Sequence, residues 1–262
     1  FTTSTEGKFS EQLMVHCTDL ASGELIWEKS FPTPVKLERS QYVSQAAPSP
    51  VVDERGVYLF FESGLLLGLD HQGTKLWDRV LTEEYGPIEG NHGLGSSLFQ
   101  SEKSLGLLVD HSGPSYLLKV NKRTGKNDWK MDRSERVSWS TPTLSTTPQG
   151  QTVFVSSNGV VEAIDFEQGK KLWEKEGVEG NTVASPTLTD RLVIIGSSKK
   201  DQTMALNRSS KATDDRVAWL AEDATSSFGS PLVTQGNLYL VNRVGVATCH
   251  DILNGKKRWD LR

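Results

Sequence analysis

One pattern is written into this chain six times, and it restricts the fold more than any other feature. Its clearest copy is Val160–Trp173, VVEAIDFEQGKKLW, where Asp165 and Gly169 frame a tight turn and Trp173 follows four residues after the glycine. The frame recurs as Asp19/Gly23/Trp27, Asp70/Gly73/Trp77, Asn121/Gly125/Trp129 and Asp251/Gly255/Trp259, with a stretched copy between Asn207 and Trp219. Six of the seven tryptophans occupy this slot, at spacings of 50, 52, 44, 46 and 40 residues. A chain built this way is a repeat array, in which each unit buries its apolar faces against its neighbours.

Each copy has a physical reading. Asp or Asn opens the turn by accepting bonds from main-chain amides two residues on. The glycine takes the left-handed conformation that closes a hairpin loop. The tryptophan, on the next strand, is expected to fill the wedge between adjacent sheets. Two residues before the framing Asp or Asn the units carry Cys17, Gly68, Ala163, Ala205 and Cys249, small enough to leave the indole room, with Lys119 breaking the slot in the third unit. The two cysteines share this slot, which favours free, buried thiols over a disulfide.

The spacing matches propeller blades of about 40–50 residues. In the fourth unit the strands are predicted at Pro142–Ser145, Gln151–Ser156, Val160–Asp165 and Lys170–Lys175, from the inside outward. Runs such as Val57–Phe61, Leu192–Ile195 and Leu238–Val241 are apolar on both faces, as strands between two neighbouring sheets should be. Helical periodicity is missing. The prediction is an all-β chain, a single β-propeller domain of four-stranded antiparallel blades spanning residues 1–262. Its units lie near 1–31, 48–81, 94–133, 140–177, 184–223 and 229–262. Phe1–Thr5 reads as a second strand and nothing after Trp259 could supply the missing first, so a fragment of a larger ring is expected.

Segments such as SPTLTDRLVIIGSS and VVEAIDFEQGKKLW resemble the repeat of PQQ-like (quinoprotein-type) β-propellers, and most of all their BamB-like non-catalytic members. The resemblance implies a ring of about eight blades working outside the cytoplasm, periplasmic, cell-surface or secreted. It leaves function open, because the family spans quinone-dependent alcohol dehydrogenases, an outer-membrane assembly lipoprotein and sensor ectodomains of receptor kinases. The catalytic branch implies pyrroloquinoline quinone with calcium, held by a Glu, an Asn and an Asp, and often an adjacent cysteine pair. This chain has no Cys-Cys pair and no Ca²⁺-loop spacing of carboxylates. The leading expectation is therefore a non-enzymatic scaffold for a protein or peptide, without a cofactor or metal. A quinone-dependent oxidoreductase, or a degenerate relative, is the alternative; a ligand-sensing ectodomain is a third.

Composition narrows the partners. A net charge of −4 argues against nucleic acid. Apolar runs are too short to span a membrane. No signal-like segment precedes Phe1, so an export signal is expected outside these residues. Oligomeric state is not legible.

Candidate binding residues are those that refuse to repeat. Two residues before the glycine of the loop joining second and third strands, the units carry Thr5, Glu62, His111, Ser157 and Arg243, a varied set expected at the mouth of the ring's channel. The longest polar loop, Thr82–Gly95, presents Tyr85, Glu89, Asn91 and His92, with Asp110 and His111 expected nearby. These could converge as metal or acid/base groups, although HExxH and close His-x-His spacings are absent; residues of this kind more often satisfy loop amides and hold the turn. Trp139, the one tryptophan outside the repeat, follows Arg133 and Arg136; it is a candidate either to stack on a peptide or planar ligand or to plug the channel rim as core. A nucleophile elbow, a P-loop and a dinucleotide fingerprint are all missing.

Overall fold

A computed structural model describes residues 1–35, 44–90, 92–209, 216–221 and 223–262. The chain packs as two compact units, Phe1–Arg136 and Val137–Arg262. Each contains three antiparallel sheets whose strands follow one another in chain order.

In the first unit the leading sheet has three strands, Thr2–Glu6, Gln12–Thr18 and Leu25–Pro32. The second runs Val51–Val52, Val57–Phe60, Leu65–Leu69 and Lys75–Val80. The third runs Phe99–Gln100, Ser104–Val109, Ser115–Asn121 and Asn127–Arg133. The second unit opens with Thr143–Thr147, Gly150–Ser157, Gly159–Asp165 and Lys170–Val178, close to the spans the repeat predicts. Its next sheet is Thr187–Leu188, Leu192–Ile195, Met204–Asn207 and Val217–Leu220. The last is Leu232–Thr234, Asn237–Val241, Ala247–Asp251 and Lys257–Leu261. A one-turn helix, Leu81–Tyr85, interrupts the otherwise all-β chain inside the predicted loop Thr82–Gly95. No helix among the described residues is long and apolar enough to cross a membrane.

The repeated turn has the expected chemistry. The Asp165 carboxylate accepts from the amides of Glu167 and Gln168, each at 2.9 Å, and Gly169 N–H donates to the Asp165 carbonyl at 2.9 Å. Gly169 sits at φ 65°, in the left-handed region where a side chain is disfavoured. The same main-chain bond closes the turns at Gly23, Gly73, Gly125 and Gly255. Every sheet then slips register one step past the tryptophan. The slot residue pairs with the indole position (Cys17 with Trp27, Gly68 with Trp77, Lys119 with Trp129, Ala163 with Trp173, Ala205 with Trp219, Cys249 with Trp259), and a bulge follows directly. Gly68 shows why the slot is small: a Cβ there would meet the Trp77 ring at 2.5 Å. Lys119, buried at this position, keeps the same register and the same bulge. Both cysteines are free and buried.

The indole does more than fill space. Nε1 of Trp27 donates to the His71 carbonyl at 2.9 Å, Trp77 to Lys122 at 2.7 Å and Trp219 to Ile252 at 3.0 Å. In each pair the acceptor directly follows the framing Asp or Asn of the next sheet, so the tryptophan of one blade is latched to the turn of its neighbour. Trp173 takes a different partner: the Arg216 guanidinium lies 4.0 Å from its ring centroid. Trp259, on the last strand, is 46% exposed.

A second latch runs between innermost strands, where most units place a hydroxyl residue before proline. Ser49 N–H donates to Ser97 Oγ at 2.9 Å in the first unit; in the second, Thr141 N–H donates to Ser185 Oγ and Ser185 N–H to Ser230 Oγ, both at 3.0 Å. The Thr143 and Thr187 hydroxyls donate to the Pro186 and Pro231 carbonyls at 2.6 and 2.5 Å. Between these latches lies a dry core. Tyr58, Phe60, Leu66, Leu107 and Leu118 build one part of it in the first unit, and Phe154, Val161, Val193 and Leu206 another in the second.

Candidate functional site

The loops joining second and third strands lie at the same end of each sheet as the segments leading into the first strands. Three of the varied positions there are buried, against the expectation of an open rim: Glu62 at 3%, His111 at 3% and Ser157 at 0% exposure. Burying such groups is tolerable only when their hydrogen bonds are met. Glu62 Oε1 accepts from Ala47 N–H at 3.2 Å and Ser44 Oγ at 3.4 Å, while Oε2 accepts from Leu94 N–H at 3.2 Å. Burial pushes its carboxyl above the ordinary value in spite of these bonds.

His111 is equally committed. Its Nδ1 accepts from the amides of Glu89 and Gly113, both at 3.0 Å, leaving Nε2 to donate to the Pro114 carbonyl at 3.0 Å. That pattern defines the neutral ring with the proton on Nε2. Burial holds its pKa below the usual histidine value. Asp110 beside it forms a two-pronged ion pair with Arg133, Nε to Oδ1 at 2.9 Å and Nη2 to Oδ2 at 3.3 Å. The Arg133 and Asp110 side chains are 3% and 0% exposed. Arg133 is therefore held by Asp110 rather than presented beside Trp139 for stacking.

The long loop is what these groups hold. Leu94 and Glu89 tie residues 89–94 to Glu62 and His111. At its start Arg79, which the sequence reading passed over, clamps the short helix: Nε donates to Glu84 Oε1 at 2.9 Å, Nη2 to Tyr85 Oη at 2.9 Å, and Nη1 to Asn127 Oδ1 at 2.6 Å. Tyr85 packs edge-on against Tyr116 at 5.1 Å. Glu89 and His92 remain exposed, and Asn91 lies outside the described residues. Of the two readings open for Glu89, His92, Asp110 and His111, the geometry has the loop anchor, built from His111, with Asp110 turned to Arg133.

In the second unit Asn181, also missed, has the anchoring role. Fully buried, it accepts from Gly159 N–H at 2.9 Å and donates to Ser156 Oγ at 3.1 Å and the Val160 carbonyl at 3.0 Å. Trp139 is half-buried, and its main-chain N–H donates to the Thr182 carbonyl at 2.8 Å. Arg136 is half-buried at the end of the first unit and donates to Ser134 Oγ. Arg243 is exposed, and so are Val244 at 63% and Phe228 at 68%, all at one end of the last sheet.

These donors do not fit a calcium-bound quinone. Glu62 and Asp110 direct their oxygens at main-chain amides and a guanidinium. Among the described residues no three His, Cys, Asp or Glu side chains come together in one cluster.

Four-stranded antiparallel meanders, in which an indole latches one sheet to the turn of the next, define the class as a β-propeller repeat protein. The family model for "Outer membrane protein assembly factor BamB" matches residues 9–214 and 114–262, and the chain belongs to that family of PQQ-like repeat propellers. No curated protein sequence matches it. Among solved structures it is similar to BamB from Moraxella catarrhalis, with a TM-score of 0.65 and 14% identity over 99% of this chain and 69% of that one. The computationally designed Ika8 protein gives 0.62 and 13%, over 99% and 73%. Quinohemoprotein alcohol dehydrogenase from Comamonas testosteroni gives 0.54 and 10%, over 96% and 65%. At such identities the likeness is one of fold.

Proposed function

We propose that this protein is a non-catalytic scaffold that binds a protein or peptide outside the cytoplasm, through the ends of its sheets where second and third strands join. The observation that carries the reading is at the last sheet. There Phe228 and Val244 are 68% and 63% exposed at the same end as the exposed Arg243. Exposed aromatic and aliphatic side chains with an arginine are the composition of protein-binding anchors. The commitment of Glu62, Asp110 and His111 to structural bonds agrees with it. These groups position loops. Family membership supports the extracytoplasmic placement.

Site-specific photo-crosslinking tests the reading. A cross-linker at Phe228 or Arg243 should trap one discrete protein in the native host. The same probe at Lys170, on an outer strand, should not. Equal trapping from both positions would overturn the choice of face. Dye reduction on adding pyrroloquinoline quinone and Ca²⁺ would overturn the non-catalytic assignment.

A further inference from the structure

The first unit carries a groove at the other end of its sheets, away from the rim discussed above. It lies between the second and third sheets, beneath the Trp77–Lys122 latch, and has a volume of about 570 Å³. Four of its seven lining residues are cations: Arg55, Lys103, Lys122 and Arg123; Tyr58, Leu76 and Asn121 complete it. No acidic side chain lines it.

The fold itself does not demand this charge, because it builds the same groove again in the second unit. Lys122 N–H donates to the Lys103 carbonyl at 3.0 Å, and its repeat counterpart Ile252 donates to Gly236 at 3.2 Å. The Trp219–Ile252 latch stands where the Trp77–Lys122 latch does. The second groove, about 430 Å³, is lined at matching positions by Gly236, Ile252 and Leu253, with Asp190 beside Arg191. Identical backbone architecture thus tolerates glycine, isoleucine and leucine where the first unit has two lysines and an arginine.

Three of the four cations are also left without a counter-charge. Lys122 is 1% exposed and satisfied internally, with Nζ at 2.7 Å from both Asp53 Oδ2 and the Ser101 carbonyl. Among the described residues the exposed side chains of Arg55, Lys103 and Arg123 make neither an ion pair nor a hydrogen bond. Other surface lysines of this chain do pair with a nearby acid, as in Lys75–Asp78, Lys171–Glu174, Lys200–Asp223 and Lys257–Asp260. Three unneutralised cations on one concave surface repel one another and create a local positive field on a chain whose net charge is −4.

We infer that this groove binds an acidic peptide segment of a partner protein, with carboxylates on Arg55, Lys103 and Arg123 and an apolar residue against Leu76. Leu76 is 52% exposed and gives the groove an apolar patch. Nucleic acid fits less well. Tyr58, the one aromatic in the lining, is 1% exposed and offers no face for base stacking.

The test is fluorescence anisotropy with the whole chain and a short labelled peptide of glutamates around a central leucine. Binding should weaken as salt rises, as screened charge pairing requires. Replacing Arg55, Lys103 and Arg123 together by Ser should reduce affinity at least about tenfold, with an unchanged circular dichroism spectrum. Replacing the exposed Lys8, Lys199 and Lys256 by Ser removes the same charge elsewhere and should change affinity by less than about twofold. Equal losses from the two triple variants, no loss from the first, or tighter binding of a single-stranded RNA of matched charge would each overturn the assignment. None of these outcomes bears on the rim, whose cross-linking is read separately.

Discussion

Asp110 and Arg133 form an ion pair that no water reaches, the two side chains being 0% and 3% exposed. The pair joins the end of the third sheet's second strand to the end of its fourth. Two charges taken out of water this far are held by their geometry, and removing one leaves the other buried and uncompensated. Asp110→Ala should cost about 3–5 kcal/mol of folding free energy in urea titrations. Asp110→Ala combined with Arg133→Met should recover most of that loss. A single variant within about 1 kcal/mol of the wild type would mean the pair is dispensable.

The tryptophan latch predicts a graded series. Trp77→Phe keeps an aromatic ring and removes the donor to the Lys122 carbonyl, a loss of about 1 kcal/mol. Trp77→Ala also empties the wedge and should cost about 3–5 kcal/mol. Trp259, 46% exposed, occupies the same sequence slot, and Trp259→Ala should cost under about 1 kcal/mol. Thermal or chemical unfolding of the three variants checks the order; equal losses at Trp77 and Trp259 would contradict the latch.

Glu62 and His111 should give opposite pH signatures. Burial raises the Glu62 pKa, so above 4.5 the folded state holds its proton longer than the unfolded chain, and stability falls as pH rises from 4.5 through the raised value. Burial lowers the His111 pKa, so the unfolded chain protonates first. The His111 contribution is present above 6.5 and is lost as pH falls through the window below it. Urea midpoints measured against pH should show the wild type losing stability relative to Glu62→Gln on rising pH, and relative to His111→Asn on falling pH. Nitrogen-15 spectra of the imidazole should report the Nε2–H tautomer. A reversed slope for either pair would sink that assignment.

The blade frame was legible in sequence because its causes are local. Asp165, Gly169 and Trp173 lie within one hairpin, and six copies display the same spacing. The site was legible only as a set of irregular positions. Glu62 and His111 stood out for not repeating, but their burial depends on amides brought from loops 15, 32 and 22 residues away, at Ala47, Leu94 and Glu89. Nothing in the spacing announces such partners. Arg79 and Asn181 were missed for the same reason, since neither occupies a slot shared with other units. The Leu81–Tyr85 helix is five residues long, too short to leave a helical period, and its N-cap residue Val80 makes no side-chain capping bond.

The hydroxyl latch between innermost strands has a consequence for how such a chain can grow. Ser185 receives an amide at its Oγ from Thr141 and gives its own amide to Ser230 Oγ. One residue is therefore both socket and plug. A duplicated gene segment one blade long arrives carrying both halves of the joint at the right separation. It can be spliced between existing blades with no compensating change on either side. The loops at the sheet ends can differ while the joint stays the same.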